Sequence, residues 1–231
     1  RLIPAYGGTV GDEVSFGGLL GSTPVMTVGS SEYNQVIKQM DLIAGYLKKM
    51  QDAGIVVIWR PLHEGAGNIY NYNGGTAWFW WGTGGADPYK YLWQLMYDRF
   101  TNLHGLNNLI WVWTGDVKGK AFYPGDAYVD IIGCDNYTCS VENLTNEYNS
   151  LHEAFPNKII TLSECGNGDV KMAALNSIWT GGATFSWFMT WYDYDYNTGK
   201  STTHKMASQE WWVAAFKQDF VLTRDKWNEL F

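Results

Sequence analysis

Two glutamates, Glu64 and Glu164, each follow an apolar stretch that predicts a strand of a sheet. In the second stretch Ile160, Leu162 and Glu164 share one face, because alternate residues of a strand point to the same side. Two carboxyl groups facing each other across a pocket mouth are what glycosidic bond cleavage requires. One protonates the leaving oxygen, and the other attacks the anomeric carbon or activates water. This chemistry is the first hypothesis for the pair.

The charged cluster around Glu64 leaves two interpretations open. Arg60, His63 and Glu64 lie in WRPLHEGAGN, directly after the apolar run 55–58. An unpaired charge at the end of a buried strand is costly, so such groups are either paired or used in chemistry. A single glutamate there can equally be a salt-bridge partner or a helix N-cap. His63 has no second histidine at ligand spacing, which favours a structural role, or a contact to Glu64 or a sugar, over a metal site.

Aromatic side chains accompany both glutamates. The chain has 13 Trp, 15 Tyr and 10 Phe, which suit both core packing and stacking on flat ligand faces. The run WFWW at 78–81 cannot point entirely into one core, so at least one of its rings should line a cleft. Trp191 comes last in its strand and is predicted at the pocket mouth, where it could stack under a sugar. Tyr137 ends a row that includes Asp135, and its phenol either donates to a carboxylate or simply packs.

Composition excludes several classes of function. A net charge of −7 and a pI of about 5.0 leave no basic footprint for nucleic acid and favour a neutral substrate. No apolar run approaches the roughly 18 residues of a membrane span. Cys134, Cys139 and Cys165 lack CxxC spacing, so zinc is not expected, while one disulfide with a third, free thiol stays open. We expect no metal and no other cofactor.

Helical and strand patterns alternate along the chain. Apolar periodicity predicts helices over 33–53, 88–103, 144–155, 170–178 and 207–221, and strands over 55–59, 109–113, 129–133, 159–162 and 184–190. Ser30 or Ser31 is the expected cap of the first helix, and Gly54 its stop. Asp87 is expected to cap the second helix, with Pro88 at its first position. Residues 1–30 predict mainly loop and do not resemble a signal peptide, so any such peptide was removed or lies outside this chain.

Two α/β architectures fit this alternation, an open doubly wound parallel sheet and a closed (β/α)8 TIM barrel. No GxGxxG follows a strand, which removes the main support for a nucleotide-binding open sheet. Polar residues cluster where the strands end, and in a barrel these ends converge on the face that carries active sites. We therefore expect one barrel domain over 1–231. Only five strands are evident, so either the chain lacks the N-terminal strands of the barrel or the patterns miss some.

Five motifs in order resemble glycoside hydrolase family 26, which is best known for β-mannanases. They are WRPLHE, WFWWG, GCDNY, TLSECG and FMTWYDY, and the resemblance extends from about residue 33 to the C-terminus. It implies a (β/α)8 barrel of which this chain carries strands four to eight. It also implies hydrolysis with retention of anomeric configuration.

The resemblance implies a role for each motif residue. Glu64 would be the acid/base and Glu164 the nucleophile, with Tyr137 bonded to the nucleophile and Trp191 under the sugar at the cleavage point. The residues implied to contact the sugar or the nucleophile are His63, Trp78, Asp135, Tyr137 and Trp191. Two departures from the family pattern concern substrate contacts. Tyr192 stands where the family often has Arg, and the insert GAGNIYNYNGGTA follows Glu64.

The implied function is that of a retaining endo-β-1,4-mannanase. Its expected partner is a neutral polysaccharide (mannan, glucomannan or galactomannan), with no nucleic acid and no membrane, and its expected location is extracellular. The family also allows a β-1,3-xylanase or a mixed-linkage β-glucanase. A protein of another class, a carbohydrate-binding barrel fragment without catalysis, stays open as well. The retaining mechanism requires the two carboxyl groups to lie roughly 5 to 5.5 Å apart.

Overall fold

The computed structural model describes residues 28–166, 172–191 and 206–230. The predicted loop at the N-terminus falls on residues 1–30 and therefore lies almost entirely outside the described residues. The same holds for the first residues of the helix predicted over 170–178, and for Tyr192. Within the described ranges, no helix combines the length and the apolar character needed to cross a membrane.

Helices and strands alternate through the described ranges. The helices are α1 (Ser31–Asp52), α2 (Ala86–Asp98), α3 (Val141–Ala154), α4 (Leu175–Thr180), α5 (Gln209–Phe216) and α6 (Arg224–Leu230). The strands are β1 (Val57–Trp59), β2 (Leu109–Thr114), β3 (Ile131–Asn136), β4 (Ile159–Cys165) and β5 (Phe188–Thr190). Short 3-10 turns occupy Trp80–Gly82, Lys118–Phe122 and Asp126–Tyr128, and a π-helical turn, Arg99–Leu103, extends α2.

Helix α1 forms as its sequence predicts. The Ser30 hydroxyl caps it by accepting a hydrogen bond from the Tyr33 N–H at 3.1 Å. The buried side chains Val36, Met40, Ala44 and Leu47 recur every three or four residues and so form one helical face. The helix ends at Asp52, and Gly54 adopts a φ of +73° that favours glycine.

The start of α2 differs from the prediction. Gly85 occupies the N-cap without a side-chain bond, and Asp87 lies inside the first turn, so the prediction that Asp87 caps the helix is wrong. The Asp87 carboxylate still stabilises the start of the helix, because the unpaired backbone N–H groups there attract negative charge. It also forms an ion pair with Lys90 Nζ at 2.8 Å. The predicted extent to residue 103 is confirmed only when the π-helical turn is included.

The strands form a parallel sheet in the order β1–β2–β3–β4–β5, as the alternating pattern predicts. Val57 pairs with Leu109, and Trp59 with Trp111. Between β4 and β5 the register shifts between Leu162 and Cys165. The chain divides into two compact units, Arg1–Ile132 and Gly133–Phe231, which are described separately below. The prediction of a single domain over 1–231 stays a prediction.

Strand β1 is shorter and less buried than predicted. It begins at Val57, and Ile55, Val56 and Ile58 are 50%, 64% and 53% exposed. Among the described residues its hydrogen-bonded neighbour is β2 alone, so apolar composition did not suffice to bury it. Other bounds also move: β3 begins at Ile131, β4 continues to Cys165, β5 begins at Phe188, α3 begins at Val141, α4 begins at Leu175 and α5 ends at Phe216.

Each unit has its own apolar core. In the first unit the core is aromatic, and its most buried rings, each at most 1% exposed, are Tyr89, Trp93, Phe100, Trp113 and Phe122. In the second unit the core is mainly aliphatic, and its fully buried members include Leu144, Leu151, Leu162 and Ile178. These cores support the elements that carry the two glutamates.

Candidate active site

Glu64 lies on a turn beyond β1, not within a strand. Its φ is +51° and that of Leu62 is +49°, values that non-glycine residues seldom adopt and that cost of order 1–3 kcal/mol each. The Glu64 N–H donates to the Thr114 oxygen at the end of β2 at 3.2 Å, and the Glu64 oxygen accepts from the Gly67 N–H at 2.9 Å. Neighbouring backbone therefore fixes this unusual conformation. The side chain is half-buried.

Two buried aromatic donors hold the backbone around Glu64. The Tyr89 hydroxyl donates to the Leu62 oxygen at 2.9 Å, and the Trp81 Nε1–H donates to the His63 oxygen at 2.9 Å. A Cβ on Gly65 would lie 2.4 Å from the Tyr89 ring, so only glycine fits next to Glu64. Burial raises the pKa of Tyr89, which keeps its hydroxyl protonated as a donor.

The aromatic run splits between core and surface, so its rings do not all point into one core. Trp81 is 5% exposed and stacks on Phe79 with ring centroids 4.4 Å apart, while Trp78 is 52% exposed. The His63 ring lies 4.8 Å from Phe79 and 5.7 Å from Trp81. His63 therefore packs on aromatic rings next to Glu64. In the same region the Arg60 guanidinium donates to the Thr114 hydroxyl at 3.3 Å.

Glu164 lies inside β4, in the second unit. The residue is 6% exposed, and its Oε2 accepts a hydrogen bond from the Tyr137 hydroxyl. Tyr137 itself is 39% exposed, and its ring meets Trp191 edge to face with centroids 6.1 Å apart. The structure thus brings together three residues that the sequence places far apart. A buried carboxylate is combined with a phenolic donor and a neighbouring indole.

Ser163 supplies a contact that sequence reasoning missed. Its hydroxyl donates to Asp135 Oδ1 at 2.8 Å and lies 3.2 Å from the Cys134 oxygen. Ser163 is 1% exposed and directly precedes Glu164, so one strand carries both the glutamate and the group that holds Asp135. Alternation along β4 places Ser163 and Glu164 on opposite faces. This alternation does not show that the residue bonded to Ser163 is Asp135 on β3.

The three cysteines are free and buried, so the alternative with one disulfide is wrong. The Cys139 sulfur accepts from the Gly166 N–H at 3.2 Å and donates to the Asn136 oxygen at 3.0 Å. Burial raises the pKa of both Cys139 and Cys165. Both are therefore neutral thiols at neutral pH, and neither supplies a thiolate nucleophile beside Glu164.

The described residues hold no group of three His, Cys, Asp or Glu side chains arranged to bind a metal ion. The predicted site residues fall into two sets. His63, Glu64 and Trp78 share one loop region of the first unit, and Asp135, Tyr137, Glu164 and Trp191 belong to the second unit. The separation expected between the two carboxyl groups stays a prediction.

Known proteins resemble this chain over most of its length. The sequence model of glycosyl hydrolase family 26 matches residues 23–226. A mannan endo-1,4-beta-mannosidase of Thermothelomyces thermophilus is 35% identical over 200 residues, which cover 85% of this chain and 37% of that protein. Mannan endo-1,4-beta-mannosidase B of a Piromyces species is 39% identical over 168 residues, covering 72% of this chain and 26% of that protein.

Solved structures give the same result. The GH26 domain of an endo-beta-mannanase/endo-beta-glucanase from Prevotella bryantii is 42% identical, with a TM-score of 0.77, over 87% of this chain and 61% of that chain. Another solved structure is a beta-mannanase from a symbiotic protist of the termite Reticulitermes speratus, complexed with gluco-manno-oligosaccharide. It is 31% identical, with a TM-score of 0.72, and the match covers 96% of this chain and 62% of that chain.

The chain spans about a quarter to just over a third of the two curated relatives. The prediction of a (β/α)8-type α/β fold is confirmed by the parallel sheet and the structural neighbours. The chain belongs to glycosyl hydrolase family 26.

Proposed function

We propose that this chain carries the catalytic machinery of a retaining endo-β-1,4-mannanase. The observation that supports this most directly is the buried Glu164 carboxylate, which accepts a hydrogen bond from Tyr137 beside the Trp191 ring. A carboxylate held in one orientation next to an aromatic surface suits attack on a sugar carbon. The curated relatives described above carry the name mannan endo-1,4-beta-mannosidase.

The proposed reaction has two steps. In the first, a Glu164 oxygen bonds to the anomeric carbon as the bond to the glycosidic oxygen breaks, and Glu64 gives its proton to that oxygen. In the second, Glu64 takes a proton from water, whose oxygen displaces Glu164 and restores the starting configuration. The Tyr137 hydroxyl orients Glu164 and stabilises its charge before attack and after release.

The proposed substrate is a neutral mannan-type polysaccharide. The net charge of −7 opposes an acidic polymer, and the chain has few charged residues. A beta-mannanase relative was solved with gluco-manno-oligosaccharide, so glucomannan is a natural second substrate to test. We also propose polysaccharide degradation outside the cell, because a polymer of this size does not cross a membrane and the enzyme must meet it there.

A substrate panel with matched variants tests the function. The unmodified protein, Glu64→Gln and Glu164→Gln are incubated with mannan, glucomannan, β-1,3-xylan and lichenan, followed by product sizing. We expect cleavage of mannan and glucomannan by the unmodified protein, retention of configuration by NMR, and loss of cleavage in both variants. Glu153→Gln, an exposed carboxylate on α3, is the control and should keep full activity.

The alternatives give distinct outcomes. Cleavage of β-1,3-xylan or lichenan in preference to mannan would assign the chain to another specificity of the family. Binding of mannan by the unmodified protein and by Glu64→Gln, with cleavage by neither, would identify a carbohydrate-binding protein without catalysis. Inversion of configuration would contradict the two-step reaction.

A further inference from the structure

The segment after Glu64 is free of charge yet exposes aromatic rings. Gly65 to Ala86 contains no Asp, Glu, Lys or Arg in 22 residues, whereas the overall 17% would give about four. Three rings in this segment are nevertheless exposed, Tyr70 by 45%, Tyr72 by 60% and Trp78 by 52%. Clustered exposed apolar groups mark interaction surfaces, whereas isolated ones need no explanation. We call residues 65–78 the aromatic loop.

The aromatic loop is closed by its own backbone. The Asn68 N–H donates to the Thr76 oxygen at 2.8 Å, and the Gly75 N–H donates to the Tyr72 oxygen at 3.0 Å. A Cβ on Gly75 would lie 1.8 Å from the Asn68 oxygen, so the two sides of the loop approach as closely as backbone allows. A loop built in this way presents its rings without a large ordering cost on binding.

Each tyrosine is held at one edge while much of its ring remains exposed. The Tyr72 hydroxyl accepts a hydrogen bond from Asn68 Nδ2 at 3.1 Å. The Tyr70 ring packs edge to face on the buried Phe122, with centroids 6.2 Å apart. The Asn71 side chain accepts from Lys118 Nζ at 3.3 Å, which ties the loop to the neighbouring 3-10 turn.

We propose that Tyr70 and Tyr72 form a platform for the leaving part of a neutral β-linked oligosaccharide, an inference that rests on the proposed function. The acid/base group lies beside the glycosidic oxygen in this mechanism, and hence next to the leaving sugar. The aromatic loop starts at that group, because the Glu64 oxygen accepts from the Gly67 N–H. The rings offer apolar faces to sugar rings, and the intervening asparagine amides offer neutral donors and acceptors to hydroxyl groups.

The test compares a sugar leaving group with one that is not a sugar. The variants Tyr70→Ala, Tyr72→Ala and the double variant are assayed on mannohexaose and on nitrophenyl β-mannobioside. We expect kcat/KM for mannohexaose to fall about tenfold per ring, equivalent to about 1.4 kcal/mol. The cleavage position should also shift, because the leaving part is held less firmly. The nitrophenyl substrate places no sugar on the platform, so its kcat/KM should change less than about twofold.

Two control variants separate the ring from its supports. Tyr72→Phe keeps the ring and loses only the bond to Asn68, so it should behave like the unmodified protein. Tyr46→Ala removes a tyrosine of similar exposure, 59%, from α1, and it should leave kcat/KM unchanged for both substrates. Three outcomes would each overturn the platform. The alanine variants could lose kcat/KM equally on both substrates, or they could keep the unmodified kcat/KM on mannohexaose. Tyr72→Phe could also lose as much kcat/KM as Tyr72→Ala.

Binding of mannohexaose, measured by calorimetry, separates this inference from the proposed function. If the protein binds mannohexaose about tenfold more tightly than Tyr72→Ala but cleaves nothing, the platform stands and the proposed function fails. If the unmodified protein and Tyr72→Ala cleave mannohexaose equally well, the function stands and the platform fails. Absence of any binding to mannohexaose or mannan overturns both.

Discussion

The two glutamates are supported in different ways. Glu164 lies within β4, where its position follows from the strand backbone, and the residue is 6% exposed. Glu64 lies on a turn with φ of +51°, and its side chain is half-buried. The backbone hydrogen bonds between strands are enough to position Glu164. Glu64 also needs contacts from neighbouring residues, because these must compensate the cost of its unfavourable backbone conformation.

The supporting groups differ accordingly. Around Glu64, Tyr89 and Trp81 donate to backbone carbonyl groups, and both rings are buried in the aromatic core of the first unit. Around Glu164, side chains contact side chains, since Tyr137 bonds the glutamate and Ser163 bonds Asp135. Packing changes should therefore act mainly on Glu64, and loss of the Tyr137 hydroxyl should act mainly on Glu164.

The largest expected effect separates the roles of the two glutamates. On mannan, Glu164→Ala should lose about 10⁴-fold or more in kcat, and Glu64→Ala about 10²- to 10⁴-fold. A dinitrophenyl β-mannobioside needs no protonation on departure, so Glu64→Ala should still release the phenol in a rapid first turnover while Glu164→Ala does not. Stopped-flow absorbance measures this burst. Equal loss of the burst in both variants would contradict the assignment of roles.

The next effect concerns the hydroxyl bonded to Glu164. Tyr137→Phe keeps the ring beside Trp191 and removes a hydrogen bond to a charged group, which is worth about 1.5–3 kcal/mol. We expect kcat on mannan to fall about 10- to 100-fold. Tyr148→Phe, which loses a hydroxyl contact with Thr184 at 2.9 Å in the same unit, is the matched control and should leave kcat unchanged. An unaltered kcat in Tyr137→Phe would show that this hydrogen bond does not support Glu164 in catalysis.

A packing change should act on the Glu64 turn. Gly65→Ala places a Cβ 2.4 Å from the fully buried Tyr89 ring, so we expect a loss of about 1–3 kcal/mol in unfolding free energy. Denaturant unfolding of the purified protein measures this loss. Gly45→Ala is the control, because its Cβ meets nothing within 4 Å on helix α1 and should stabilise by about 0.5–1 kcal/mol. Equal stability of the two variants would show that the turn tolerates the extra atom.

The smallest effect lies away from both glutamates. Arg99 donates hydrogen bonds to both carboxylate oxygens of Asp41, at 2.6 and 2.7 Å. These bonds, together with the one to His104, hold the pKa of Asp41 below its ordinary value of 3.8. A lowered folded-state pKa gives stability that is present above the unfolded value and lost as pH falls through the folded value. The difference in Tm between the unmodified protein and Asp41→Asn should therefore shrink as the pH falls below about 4. A constant difference down to pH 2.5 would contradict this linkage.

Local elements were largely predictable because their signals are local. The Ser30 cap, the buried stripe of α1 and the stop at Gly54 all lie within one helix, and each has a physical reason that neighbouring residues supply. Bounds that depend on distant partners were less well predicted. Strand β1 was expected to be buried from its composition, yet Ile58 is 53% exposed, since burial depends on what packs against a face.

The sequence alone determined the order of strands and helices, the position of Glu164 in its strand on the face shared with Ile160 and Leu162, and the neutral, aromatic character of the loop after Glu64. These properties depend on spacing and composition, which the chain carries in linear form. Only the tertiary structure decided that Glu64 adopts a left-handed turn and that Ser163 holds Asp135. For Tyr137 it selected the bond to Glu164 from the two alternatives, a bond to a carboxylate or simple packing, that the sequence left open. Those features join residues far apart in the chain, because folding chooses contacts in space by packing and hydrogen bonding and no local pattern encodes them.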